Sequence, residues 1–172
     1  MALRKIVTHP HPVLREQAAA ITEFNAELQQ LAQDMAETMY ASEGVGLAGN
    51  QIGVARQIAV VDISASEEER QHIVLVNPVL SEGEGCESGK EGCLSVLEYD
   101  AKVERFKKIR VTAQDVEGRP LDFVAEDRFA RIIQHEVDHL RGVLFIDRIS
   151  RLKQDMYKRK LKKLLDKRQA GL

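Results

Sequence analysis

His135-Glu136-Val137-Asp138-His139 sets two imidazoles four residues apart inside an otherwise apolar stretch. On a helix of about 3.6 residues per turn, positions i and i+4 project from one face, so both rings can reach a single metal ion. The spacing predicts a divalent metal. Glu136 follows the first histidine directly, so its carboxylate lies beside the ion without entering the ligand set, where a base can take a proton from water held there. That combination points to a metallohydrolase. Isolated histidines are more often hydrogen-bonded core residues, but the i, i+4 spacing with an intervening Glu reverses that preference. Asp138 has two open roles, as an acceptor orienting an imidazole or as an ion-pair partner of Arg105 or Arg141.

Catalytic metals usually keep three protein ligands and one open position, so a third ligand must come from elsewhere. The chain has two cysteines, Cys86 and Cys93. Cys93 lies in Lys90-Glu91-Gly92-Cys93-Leu94-Ser95, where Gly92 lets the backbone pass close to an ion, and it is the candidate thiolate. Taken alone, a small buried apolar side chain is the commoner fate of such a cysteine. A third segment, Glu43 to Gln51, carries Gly44, Gly46 and Gly49 at the end of a helical pattern. It reads as a loop that can approach a bound chain closely. A phosphate loop is excluded because no Gly-Lys-Ser/Thr follows.

Together the three segments resemble the peptide deformylase family, which removes the formyl group from the initiator methionine of new proteins. The family's G-x-G-x-A-x-x-Q, E-G-C-L-S and Q-H-E-x-D-H motifs stand here as Gly44 to Gln51, Glu91 to Ser95 and Gln134 to His139. The likeness extends to His9 through Arg15 and Leu140 through Arg148, and so covers nearly the whole chain. It implies Cys93, His135 and His139 as metal ligands and Glu136 as the base. It further implies the Gln51 amide and the Leu94 backbone N–H as donors to the oxyanion. Val45 and Ile132 would line a slot for the methionine side chain, with Gly46, Glu91 and Gly92 holding the peptide backbone. Donor types alone leave the ion open among zinc, iron, nickel and cobalt. The resemblance implies Fe²⁺, with Zn²⁺, Ni²⁺ or Co²⁺ able to occupy the site, and a thiolate that is sensitive to oxidation.

Two departures stand out. The loop usually reads Ala-Ala-Pro-Gln where this chain has Ala48-Gly49-Asn50-Gln51, and Leu97 replaces a usual proline. Both are expected beside the substrate cleft, where gained glycine and lost proline loosen the chain. A deformylase relative with altered substrate range is therefore one alternative. A zinc metallopeptidase is the other, although its third ligand is normally a downstream His or Glu.

At 172 residues, 44% hydrophobic and 30% charged, the chain suits one folded catalytic domain over 1–172, ending in a basic helix over 151–172. No apolar run approaches the roughly 20 residues that cross a bilayer, and the start lacks the apolar region of an export signal. A cytoplasmic monomer with reduced thiols is expected, without DNA or membrane as partner. Residues 151–172 hold nine basic and two acidic side chains, against sixteen and twenty-five in the remainder. The resemblance implies that this cationic helix docks on the ribosome, whose emerging formyl-methionyl chains are the substrate. His9, His11 and His72 are expected in solvent.

The positioning elements follow from periodicity. Leu28, Leu31, Met35 and Met39 mark an amphipathic helix capped near Thr22 or Asn25, and 57–62 and 73–78 read as strands. Ser81 to Lys90, with three glycines, reads as a loop feeding Cys93 onto the sheet. Residues 109–114 and 121–124 form a hairpin about Glu117-Gly118-Arg119-Pro120. A buried helix runs from about Glu126 to Arg141, stopped by Gly142. A last helix from Arg151 offers Met156, Leu161, Leu164 and Leu165 as a narrow apolar stripe. The pattern is α+β, mainly antiparallel sheets around the metal-binding helix, with helices at both ends.

Overall fold

The computed structural model describes residues 2–171. Helix α1 (Ala26–Ala41) begins where the Asn25 side chain accepts from the Leu28 N–H at 3.0 Å. Its buried face, including Leu28, Leu31, Met35 and Met39, packs on Ile58, Val60 and Val76. Burying each such side chain contributes roughly 2 kcal/mol. Strands β1 (Gly46–Ala48), β2 (Ile58–Asp62), β3 (His72–Glu84), β6 (Lys108–Gln114) and β7 (Pro120–Glu126) form an antiparallel sheet in the order β1-β2-β3-β6-β7. Helix α2 (Asp127–Leu140) lies against it, with Ala130, Ile133 and Val137 packed among Val61, Leu75, Ile109, Val111 and Ala125. The α+β architecture expected from the sequence is the one observed.

Strands β4 (Glu87–Cys93) and β5 (Val96–Arg105) form a separate antiparallel hairpin. Here the sequence reading needs correction. Ser81 to Lys90 is not a loop: β3 runs on to Glu84, the chain turns at Gly85 and Cys86, and β4 starts at Glu87. Glu87-Ser88-Gly89-Lys90 is a poor strand by propensity, but Arg131 of α2 donates to the carbonyls of Glu87 and Gly89 and fastens it. Gly89 serves that approach, because a Cβ there would lie 2.9 Å from the Arg131 Cζ. Strand β5 was not anticipated, although Ala101, Val103 and Arg105 alternate inward against exposed Lys102 and Glu104. The Gly44 loop likewise contains the short strand β1.

Helix α3 (Arg151–Gln169) is held differently from expectation. Tyr157 is its one buried residue, 2% exposed, against Tyr99 and His9 at ring-centroid distances of 5.1 and 5.9 Å. Met156 is exposed, because the burying face follows Tyr157 and Leu161 instead. His9 is correspondingly half-buried rather than solvated, and burial lowers its pKa. Replacing Tyr157 with Ala should therefore cost about 3–5 kcal/mol in urea unfolding, as other large aromatic truncations do. Cutting the chain after Arg151 should expose the same core.

Candidate active site

Cys93 at the end of β4 and His135 and His139 on α2 bring one ligand atom each within 4.8 Å of one another. The Cys93 Sγ lies 3.3 Å from His139 Nε2, which lies 3.3 Å from His135 Nε2. The two imidazoles stand four residues apart on one helical face, so the helix itself delivers this convergence. Burial and the neighbouring His135 lower the His139 pKa, while for His135 the lowering by burial is overcome by its hydrogen bonds to Cys93 and Glu91, which raise its pKa. One soft sulfur and two imidazole nitrogens at this separation fit a divalent transition metal.

Beneath the cluster lies a buried charge network. The His135 Nδ1–H donates to Glu91 Oε1 at 2.9 Å, which turns Nε2 toward Cys93. Arg105 donates to both Glu91 oxygens at 2.9 Å and to Asp138 at 2.6 Å, and Arg131 adds a bond to Glu91 at 2.7 Å. Burial pushes the Glu91 carboxyl up, but the Arg105 and His135 bonds prevail and hold it at about 2. Asp138 faces Arg105 and Arg148, not an imidazole and not Arg141. The orienting carboxylate is thus Glu91, whose motif was legible but whose side-chain role was not. Arg105 had a signal in the alternation of β5.

Glu136 is 4% exposed, and burial, opposed by His135, raises its pKa to about 7. Its Oε2 has no hydrogen-bond partner among the described residues. Gly46 makes its position possible, since a Cβ there would lie 2.5 Å from Glu136 Oε1. Gln51 is fixed by its Oε1, which accepts from the Ala48 N–H at 2.9 Å. Its Nε2 donates to Ser95 Oγ at 3.2 Å and lies 3.5 Å from Cys93 Sγ. A cleft of about 630 Å³ opens over this group, and Val45, Gly46, Glu91, Gly92, Leu94 and Ile132 all line it. Lys90, Arg128 and Arg131 with Glu43, Glu87 and Asp127 put charges of both signs around it.

A cysteine and two histidines around one point, with an unpaired buried glutamate beside them, match the polypeptide deformylase family over residues 3–155. The chain belongs to that family. It is 48% identical to a peptide deformylase of Desulfotalea psychrophila over 95% of this chain and 97% of that one. It is 46% identical to one of Alkalilimnicola ehrlichii over 96% and 92%. Among solved structures, the Legionella pneumophila peptide deformylase matches with a TM-score of 0.89 at 42% identity, covering 98% of both chains. The Thermus thermophilus enzyme matches at 0.88 and 37%, covering 99% of this chain and all of that one. Deformylation is metal-dependent amide hydrolysis, and this chain is a hydrolase that removes the N-formyl group from new polypeptides.

The departures from the usual motifs lie elsewhere than expected. Gly49, Asn50 and Leu97 do not line the cleft. Gly49 is pressed against the Val54 and Arg56 carbonyls, and a Cβ would come within 2.6 and 2.9 Å of those oxygens. Asn50 is fully buried, with its amide on the N-terminal arm. Gly49→Ala is therefore expected not to tighten substrate binding but to destabilise the fold by about 1–3 kcal/mol, as other overpacked sites do. Thermal unfolding beside KM for a formyl-Met peptide checks this; an unchanged Tm with a lower KM would contradict it.

Proposed function

We propose that Cys93, His135 and His139 hold one Fe²⁺, replaceable by Zn²⁺, Ni²⁺ or Co²⁺, and that Glu136 is the proton shuttle of formyl-methionine hydrolysis in the cytoplasm. The observation that carries this reading is the unpaired, buried Glu136 oxygen beside three converging donors. The ion, when bound, supplies Lewis acidity to water and to the formyl oxygen. Glu136, with its pKa raised to about 7, can accept a proton near neutral pH and release it again. Water so activated adds to the formyl carbon, the C–N bond breaks, and the proton passes from Glu136 to the departing amine, leaving formate.

Negative charge on the formyl oxygen needs donors already aimed at it. The Gln51 Nε2–H, restrained by its bond from Ala48, and the Leu94 backbone N–H take that role. Val45 and Ile132 form the apolar wall for the methionine side chain, while Gly46, Glu91 and Gly92 offer backbone to the peptide. Strand β1 supports this, since among the described strands it pairs with β2 alone, which leaves Gly46 on its other edge open to an extended chain.

Two variants test these roles in anaerobically purified protein. Glu136→Ala should keep one metal per chain yet lose about two orders of magnitude of turnover in formate release. Cys93→Ala should lose metal and activity together, and equal metal content in variant and wild type would remove Cys93 from the ligand set.

The ribosome is the proposed partner of α3, whose Lys158, Arg159, Lys162, Lys163, Lys167 and Arg168 are exposed. Binding to RNA phosphate would weaken with salt as counterions are released. Because Tyr157 anchors the helix, charge reversal at Lys162, Lys163, Lys167 and Arg168 tests this better than truncation. Co-sedimentation at low salt should be lost while short formyl peptides are still hydrolysed; unaltered binding would leave the basic face as a solvated surface.

A further inference from the structure

We propose that Asn50 is a positioning residue for Gln51, clamping the N-terminal arm behind the catalytic turn so that the Gln51 amide is held against the reacting centre. This rests on the reading of Gln51 as the donor to the formyl oxygen. Asn50 directly precedes Gln51 in the short turn Gly49–Ile52, is fully buried, and lines no part of the cleft. Its Nδ2 donates to the Glu16 carbonyl at 2.8 Å and to the Val13 carbonyl at 3.3 Å, both far away in sequence. Its Oδ1 has no partner among the described residues. A buried amide satisfied at one end only is costly, and the bonds of its donor end offset that cost.

That end secures a strap. The Val7 N–H donates to the Gln51 carbonyl at 2.8 Å, and the His9 N–H donates to the Ser95 carbonyl at 2.8 Å. Gln51 and Ser95 are joined in turn by the Nε2 to Oγ bond. Further along, the Ala18 N–H donates to the Leu140 carbonyl at 2.8 Å, one residue beyond His139. The arm thus bonds to two of the motif segments and to the residue after the third, and among the described residues Asn50 is the only side chain from the Gly44–Gln51 motif that bonds to it. Gly49, the first residue of the turn, is seated tightly against the Val54 and Arg56 carbonyls. Releasing the clamp would leave Gln51 attached to Ala48 and Ser95 but on a turn free to tilt, and small misplacement of a reacting group is expensive in rate.

A double-mutant cycle in the zinc-loaded full chain tests the coupling. Asn50→Ala should lower kcat about tenfold with KM for a formyl-Met peptide within about twofold and metal content unchanged. The double variant Asn50→Ala/Gln51→Ala should have the kcat of Gln51→Ala alone, because the clamp acts only through Gln51. The Gln51 side-chain amide resonance should also move in Asn50→Ala, a readout independent of turnover. Multiplying losses in the double variant, or a kcat within twofold of wild type in Asn50→Ala, overturns the proposal. If Gln51→Ala itself leaves kcat intact, the oxyanion reading fails and takes this one with it. Should Asn50→Ala not fold, Asn50→Leu keeps the side-chain volume, equally lacks the donor, and is judged by the same cycle.

Discussion

A buried carboxylate, Glu91, ties the parts of this molecule together. Taking one carboxylate and one guanidinium out of solvent costs several kcal/mol each, and the cost is recovered only when every donor and acceptor is matched. Glu91 meets that condition with two bonds from Arg105, one from Arg131 and one from His135. Those four bonds join β4, β5 and α2, so the ligand-bearing helix and the cysteine-bearing hairpin share one charge-balanced interface. Asp138 extends the ladder from Arg105 to Arg148, which carries it to the surface beyond α2. Removing a single member would strand a buried charge, a loss of about 3–5 kcal/mol.

This network explains what could and could not be read from the chain. His135, Glu136 and His139 were legible because helical spacing alone fixes which side chains share a face. Asn25 and the face of α1, the 109–124 hairpin and the bounds of α2 were legible for the same local reason. The buried-carboxylate role of Glu91 and the part of Arg131 were not, because charged residues in a strand or on a helix ordinarily face water and only long-range pairing reverses this; Arg105 was foreseen as a partner of Asp138 but not of Glu91. Strand β4 was missed on the same account, since bonds from Arg131, 42 and 44 residues away in sequence, to its carbonyls hold a segment of weak propensity.

The glycines were read as sources of freedom, yet several act by close approach. Gly46 gives room to Glu136, Gly89 to Arg131 and Gly49 to two backbone carbonyls. In each case a methyl group would collide with atoms already at that place, so the residue confers tight seating and not mobility. Expecting the Gly49-Asn50 pair to loosen a substrate loop followed from unfolded-state entropy alone, whereas the native contacts of both residues run away from the cleft.

Placement of the catalytic groups therefore depends mostly on side chains that no substrate would touch. Three donors within 4.8 Å of each other are an unfavourable arrangement by themselves, because two imidazoles and a thiol must be desolvated in one place. Glu91 orients one imidazole, the His135–His139 helix fixes the spacing, and the β4–β5 turn carries Cys93, so the cost of assembling the site is met by the fold. An ion that binds only the folded chain then adds stability by mass action, about 2.7 kcal/mol at a hundred times its Kd. Preorganisation also bears on rate: a base, a carboxamide donor and a ligand cluster that need not move as charge develops avoid reorganisation during the reaction. The buried carboxylate beneath the site thus links the stability of the hairpin interface to the chemistry above it.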